Sequence, residues 1–567
     1  MAAAAPHRNA TCAHVLSLSL LLVLSFCLPS TAALFNRTSW RPSSLASIEL
    51  PDHLSFNAAV TASERADCHH HGGGGGEGVS ELLALASGSP ASGALKLHLR
   101  HRSETGDGTA ARRPPKETVR ESALQDLHRI QSLHRRITEK KNQNARDRLA
   151  AQHHPHHRHH RHHNDKRRQR PIGPAEKEPV GQMLAASVES GVTLGSGEYL
   201  ADVFVGTPPR HFSVIMDTGS DLNWLQCQPC HACFEQHDPV YDPALSSSYR
   251  PIPCADARCH LVSSPEPPTP CNPSSGTPCP YFYWYGDKSN TTGDLALETF
   301  TVNLTGAGAA AQQHRMDGVI FGCGHWNRGL FKGAAGLLGL GRGPLSFSSQ
   351  LRSLNGGGGV FSYCLVDRNS DLSVSSKLVL GEDPVLMAHP LLNFTSFVAG
   401  KDNPADTFYY VHVKGIMVGG RMLDIPAQTW ELSDGAGGTI VDSGTTLSYF
   451  AEPAYQAIRE AVLKEVKAYP VVEDFPVLSP CYNVSGVEGP LELPGLAVVF
   501  GDGAVWHFPP KNCFIRLEPE DVVCLAVLGT PRSSLSILGN YQQQNFHVVY
   551  DAGRSRLGFA PARCAEV

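Results

Sequence analysis

One signal occurs twice in this chain, and it limits the possible folds more than any other feature. The apolar stretch His211-Phe212-Ser213-Val214-Ile215-Met216 runs into Asp217-Thr218-Gly219-Ser220. A second stretch, Gly438-Thr439-Ile440-Val441, runs into Asp442-Ser443-Gly444-Thr445-Thr446. Roughly a hundred residues after each comes an apolar-apolar-Gly element, first Leu337-Leu338-Gly339 and then Ile537-Leu538-Gly539. A single Asp-Thr-Gly would read as an Asx-turn or a helix cap. The same ordered pair of signals in two halves predicts two similar lobes, each contributing one aspartate.

The surroundings of the repeat are mostly β. Tyr199 to Val205 alternates like a strand and stops at Gly206-Thr207-Pro208-Pro209. Short β-rich stretches separated by turn residues continue to the C-terminus, and Pro453 to Ala468 is the one good helical stretch of the body. A length of 567 residues suggests two or three compact units. The expected division places an N-terminal lobe with a cysteine-rich insertion at 181–385 and a C-terminal lobe at 386–567.

The first third has a different character. Residues 1–33 read as an export signal: His7 and Arg8, an apolar run from Val15 to Leu28, then small residues Ser30 to Ala33. About 14 apolar residues fall short of the roughly 20 that span a bilayer, so no membrane anchor is expected. Residues 34–180 read as a propeptide, basic, histidine-rich and largely without a fold of its own. One helix is predicted there from Ser122 to Lys140, where Leu124, Leu127, Ile130 and Leu133 recur at helical spacing. The run Lys166-Arg167-Arg168-Gln169-Arg170 is a suitable proteolytic nick site. The tract His153–His163 has three readings: a metal site, a pH sensor, or a low-complexity linker.

The net charge of −5 conceals an asymmetry, since residues 100–170 are strongly basic and the rest of the body is acidic. The two parts should attract each other. The basic segment has no recognition motif beside it, so a nucleic-acid partner is not expected. Of sixteen cysteines, all but Cys12, Cys27 and Cys68 lie from Cys227 onward, a density that points to disulfides in an oxidising compartment. Asn36, Asn290, Asn303, Asn393 and Asn483 begin glycosylation sequons.

Two carboxylates brought together suit peptide hydrolysis without metal or covalent intermediate. One ionised carboxylate activates water while its protonated neighbour supplies an acid, because crowding splits their titrations. The glycine of each motif permits close backbone approach, and the small hydroxyl residue beside it can hydrogen-bond across the lobes. On these motifs the chain resembles the pepsin-like aspartic proteases, and within them the plant nepenthesin-like branch. The resemblance covers about residues 195–567.

It implies the bilobal pepsin-like fold with the active site between two β lobes, and Asp217 and Asp442 as catalytic residues. It implies further that Thr218 and Ser443 interlock the two loops around Gly219 and Gly444. Ser220 and Thr445 would bond the outer carboxylate oxygens. Tyr281-Phe282-Tyr283-Trp284-Tyr285-Gly286-Asp287 resembles the flap hairpin, with Tyr285 closing over substrate and Trp224 at the family's spacing behind Asp217. The cysteine insertion marks the branch: Cys227, Cys230, Cys233, Cys254, Cys259, Cys271 and Cys279, with Cys323, Cys364, Cys481, Cys524 and Cys564 further on. A zinc site at the paired Cys-x-x-Cys spacings beside His231 and His260 is the lesser reading. Thirteen body cysteines against the usual twelve leave one over, and Cys513 is the surplus one by the same resemblance.

The expectation is an aspartic endopeptidase made as a zymogen on the secretory route, with an acidic optimum. Apoplast is the expected destination, with vacuole or endoplasmic reticulum as alternatives. Polypeptides are its substrates, no cofactor or metal is needed, and it works as a monomer. The competing reading is a catalytically inactive binding protein on the same fold, like the protease-like xylanase inhibitors of plants. Such proteins typically lose catalytic residues, and this chain keeps both aspartates, their hydroxyl partners and the flap tyrosine.

Overall fold

A computed structural model describes residues 119–130, 133, 184–190 and 198–567, apart from short segments, chiefly 263–270, 305–311 and 400–406. The signal, most of the propeptide, the histidine tract, Asn36 and the flap tip at Gly286–Asp287 lie outside the described residues. The body is built almost wholly of strands.

The sequence repeat reappears as a repeat of topology. In the first half, Arg210–Asp217 lies parallel to Gly336–Gly339, with Asp217 opposite Gly339. The strand after the Asp loop, Trp224–Gln226, runs antiparallel to that same Gly336–Gly339 on its other side. In the second half, Thr439–Val441 lies parallel to Ser536–Leu538, and Ser448–Phe450 meets it antiparallel. A late strand thus inserts between the two strands that flank each Asp loop and holds the loop at one edge. The glycine that ends the late strand is required by close approach. A Cβ on Gly339 would stand 2.5 Å from the Asp221 carbonyl carbon, and one on Gly539 would overlap the Leu447 carbonyl.

The halves share a sheet. Val360–Cys364 pairs with Ser376–Leu380 on one side and with Phe546–Asp551 on the other, so a second-half strand continues a first-half hairpin. The Cys364–Cys564 disulfide fastens the same junction. Alternate residues of these strands, Phe361, Tyr363, Val548 and Tyr550, are buried in one core that extends through both halves. This continuity keeps the two Asp loops at a fixed separation.

All twelve remaining body cysteines are paired: Cys227–Cys323, Cys230–Cys233, Cys254–Cys271, Cys259–Cys279, Cys364–Cys564 and Cys481–Cys524. Four of the six fasten the insertion and the strand behind it, where turns are many and apolar residues few. Cys254, Cys259 and Cys271 lie close enough for a shared ion, but each is committed to a disulfide and has no thiolate to offer. Cys513 is buried and unpaired.

Two helices differ in detail from expectation. The body helix runs Glu452–Glu465, starting one residue early with Pro453 in its first turn. It stops three residues early because Val466 turns extended while its N–H closes on Val462. In the N-terminal segment, residues 119–130 and 133 are helical. Ile130 and Leu133 pack as expected with Leu127 partly buried beside them, joined by Val119 and Ala123, while Leu124 is 40% exposed. Among the described residues, no helix is long and apolar enough to cross a membrane.

Candidate active site

Asp217 ends its strand and Asp442 directly follows the corresponding one, and both are completely buried. Each is held by its own loop in the same way. The Gly219 N–H donates to Asp217 Oδ1 at 2.9 Å and the Ser220 hydroxyl to Oδ2 at 2.5 Å. The Gly444 N–H donates to Asp442 Oδ1 at 3.0 Å and the Thr445 hydroxyl to Oδ2 at 2.6 Å. Each carboxylate therefore has one oxygen pinned by a hydroxyl, and its other oxygen is turned towards the partner lobe.

The loops are also bonded to each other. The Thr218 N–H donates to Ser443 Oγ at 3.1 Å, and the Ser443 N–H donates to Thr218 Oγ1 at 2.9 Å. The Ser443 hydroxyl then donates to the Met216 carbonyl at 3.1 Å. A reciprocal pair of buried bonds of this kind fixes the separation of the loops, since breaking either strands a buried donor. Neither glycine tolerates a side chain: a Cβ on Gly219 would lie 2.7 Å from Asp442 Oδ1, and one on Gly444 would collide with Asp217 Oδ1.

Trp224 and Tyr285 are also brought to the site. The Trp224 indole N–H donates to the Tyr285 hydroxyl at 2.8 Å, and both rings pack on Phe331. Tyr285 follows directly on the strand Pro280–Trp284, which forms a hairpin with Asn290–Leu304. The candidate glycosylation site Asn290 starts that return strand, while Asn393 and Asn483 are exposed.

A residue that the sequence did not single out occupies the centre. Arg129, on the helix of the N-terminal segment, donates from Nη2 to Asp217 Oδ1 at 2.5 Å and to Asp442 Oδ1 at 3.2 Å. Its Nε donates to Asp442 Oδ2 at 3.0 Å. One guanidinium thus bridges the two inner oxygens and neutralises charge between them. Burial alone would raise Asp217, but Arg129, the Ser220 hydroxyl and the Gly219 N–H outweigh it and hold this carboxyl below its ordinary range. At Asp442 burial prevails, reinforced by the nearby Asp217, and the carboxyl is raised despite Arg129.

The same helix has a second polar anchor. Asp126 accepts the Thr446 N–H on one oxygen and the Leu447 N–H on the other, each at 2.9 Å. The Tyr449 hydroxyl donates to the Ala123 carbonyl at 3.1 Å and approaches Asp126 Oδ2 at 3.3 Å. Burial pushes the Asp126 carboxyl up to about 7 in spite of the two N–H donors. Gln125 donates to Glu198 at 3.0 Å. Val119, Ala123, Ile130 and Leu133 pack among Phe408, Tyr410, Ile440 and Leu447 of the second half. Between the helix and Glu198, Ile215, Tyr285, Phe331 and Leu337 remains a void of about 30 Å³, room for about one water. The signal for this plug was in the sequence: Asp126 interrupts an apolar face spaced 119, 123, 130, 133, with Arg129 beside it.

Two linked β lobes that meet at a pair of buried, loop-held aspartates define the bilobal pepsin-like class of protein. The chain matches the xylanase inhibitor N-terminal family model over residues 199–382 and the xylanase inhibitor C-terminal model over 408–561. It is 42% identical over 386 residues to aspartyl protease family protein 2 of Arabidopsis thaliana, covering 67% of this chain and 74% of that one. Aspartic proteinase nepenthesin-2 of Nepenthes gracilis is 38% identical over 398 residues, covering 69% and 84%. The crystal structure of edgp superposes with a TM-score of 0.55 at 22% identity, covering 69% of this chain and 97% of that one, a likeness of fold. The chain belongs to the pepsin-like aspartic proteases of plants and is an aspartic-type endopeptidase.

Proposed function

We propose that this protein hydrolyses peptide bonds with water activated by Asp217 and Asp442, and that its own N-terminal helix keeps it latent. The observation that carries the reading is Arg129 Nη2 between the two inner carboxylate oxygens, where an attacking water would have to sit. With the helix gone, the pair shares one proton. The ionised carboxylate takes a proton from water as it attacks the scissile carbonyl, while the protonated one donates to the carbonyl oxygen. The proton taken from water then passes to the leaving amine. Thr218, Ser443, Ser220 and Thr445 keep the two carboxyls oriented throughout, so little reorganisation accompanies the reaction. Tyr285 closes over the bound peptide, tethered to Trp224.

Latency rests on two supports. A helix pairs its own peptide groups and offers no extended strand to the cleft, so the plug is a poor substrate for the dyad it covers. Asp217, held below its ordinary range beside Arg129, supports docking only while ionised, so its protonation in stronger acid weakens the attachment. We propose accordingly that the enzyme matures and works at acidic pH after cleavage between the helix and the first body strand. The disulfides and sequons favour a secretory route with the apoplast as destination. Retention of both aspartates and their hydroxyl partners speaks against an inactive binding protein.

The test is incubation of the purified intact chain from pH 7 to pH 3, following cleavage of a denatured protein and sequencing the new N-terminus. The expected result is acid-dependent turnover that appears with a processed form starting after Leu133. Turnover by a chain that retains the helix in its cleft would contradict the latency, and no turnover at any pH would contradict the activity.

A further inference from the structure

The two halves differ directly behind their aspartates. After Leu337-Leu338-Gly339 comes Leu340, whereas after Ile537-Leu538-Gly539 comes Asn540. Asn540 is fully buried and clamps the Asp442 loop twice. Its backbone N–H donates to the Thr445 carbonyl at 2.8 Å, and its Nδ2 donates to the Ser443 carbonyl at 2.8 Å. The peptide unit whose carbonyl Asn540 holds is the same unit whose N–H, on Gly444, donates to Asp442 Oδ1. At its other end, Asn540 Oδ1 accepts from Arg368 Nη2 at 2.6 Å.

These contacts form one directed row: guanidinium, side-chain amide, peptide, carboxylate. Every donor in it points towards Asp442. Hydrogen bonds aligned in a low-dielectric interior polarise one another, and a charged donor at the head strengthens the row. Arg368 also decides which way the Asn540 amide faces, because only the oxygen end can accept from a guanidinium. The arginine belongs to the segment joining Val360–Cys364 to Ser376–Leu380, so a first-half residue supports the second-half aspartate. Leu340, at the matching sequence position, has no amide of its own to offer the Asp217 loop.

We propose that Arg368 is a positioning residue for peptide hydrolysis, acting through Asn540 and the Ser443–Gly444 peptide to orient Asp442 and favour its ionised form. The inference rests on the dyad reading above. The other groups facing Asp442 are Asp217, Arg129 of the helix and the Thr445 hydroxyl, with the hydroxyls of Tyr363 and Tyr550 nearby. Around Arg368 stand Tyr199, whose ring lies 5.6 Å away, and Asp367 and Tyr541. Once the helix leaves, Arg129 no longer offsets the burial and the Asp217 charge that push Asp442 up, and the row from Arg368 remains.

The test is the pH dependence of kcat/KM for peptide cleavage by the full chain matured in acid, comparing wild type with Arg368→Met, Arg368→Lys and Asn540→Leu. The active dyad holds one proton, so weakening support for the Asp442 anion delays loss of that proton. Arg368→Met and Asn540→Leu should move the basic limb upward by roughly half a unit to one unit. They should also lower kcat by about tenfold, with KM little changed. Arg368→Lys keeps the charge and should stay near wild type. If Asn540→Leu fails to fold, the half-buried Arg368 decides alone. A basic limb in Arg368→Met that superposes on wild type or moves downward, with only the melting temperature changed, would overturn the proposal. A wild type without any acid-limb and basic-limb profile would overturn the dyad reading, and the row from Arg368 with it.

Discussion

Arg129 Nη2 donates to Asp217 Oδ1 at 2.5 Å across 88 residues of chain, and that contact joins the N-terminal segment to the chemistry of the body. Its partners are wholly buried while the arginine side chain is 14% exposed, so the ion pair is poorly screened. Replacing Arg129 by Ala should raise turnover by the unprocessed chain by on the order of 100-fold, the cost of removing one charged partner of a buried pair. Hydrolysis of a quenched peptide by chain held intact with a blocked processing site measures this. Equal latency in Arg129→Ala and wild type would show that the apolar face alone holds the helix.

Asp126 gives a pH dependence whose sign follows from its raised value. Docked, it titrates at about 7, against an ordinary 3.8 when released, so docking takes up a proton. The helix is therefore held more firmly as pH falls from about 7 towards 4. Asp442, also raised, acts in the same sense. Asp217 acts in the opposite sense: held below its ordinary value when docked, it favours docking only while ionised, and that support is lost in stronger acid. Protection of the helix amides, relative to their intrinsic exchange at each pH, should be greatest in mild acid and fall on both sides. Asp126→Asn should remove the loss of protection above neutral pH, and retention of that loss would contradict the assignment.

The repeat was legible because its physical cause is local: an apolar strand, a turn with a forced close approach at glycine, and a later strand ending in glycine. Strand Tyr199–Val205 and the turn of each Asp loop stand on such short-range constraints, whereas Trp224 and Tyr285, bonded across 61 residues, were marked only by the family resemblance. The plug was less legible. Ser122 to Lys140 reads as a helix, and its apolar spacing finds Leu127, Ile130 and Leu133 on the packed side, but it also takes the exposed Leu124 and misses Val119 and Ala123. The face is chosen by what the cleft offers, an apolar wall around Phe408 and Ile440 and two backbone donors that Asp126 satisfies. Those partners lie some 300 residues away in the chain, beyond any local pattern.

The reciprocal bonds between Thr218 and Ser443 should matter for rate more than for affinity. Thr218→Val keeps the shape but removes the acceptor for the Ser443 N–H, leaving a buried donor unpaired at about 1–3 kcal/mol. A fall in kcat with KM nearly unchanged is expected, together with a lower melting temperature. Loss of stability with unchanged kcat would mean that the bonds only brace the lobes.

Cys513 should be inert in the folded protein. It is fully buried, and burial pushes its thiol up to about 12, far from the thiolate that alkylating reagents require. The matured body, without Cys12, Cys27 and Cys68, should show no modification under iodoacetamide when native, and should take up one equivalent without reduction when denatured. Uptake of label by the native form would contradict the assignment of this cysteine as buried and unpaired.

The proposed function requires that Asp217 and Asp442 act as one unit. The most direct measurement is the pH profile of peptide cleavage by the acid-matured chain as wild type, Asp217→Asn and Asp442→Asn. The expected result is an acidic bell for the wild type and near-complete loss of kcat in each single variant, with the double variant no worse than either. Appreciable turnover in either single variant, or losses that multiply in the double, would contradict a shared-proton pair.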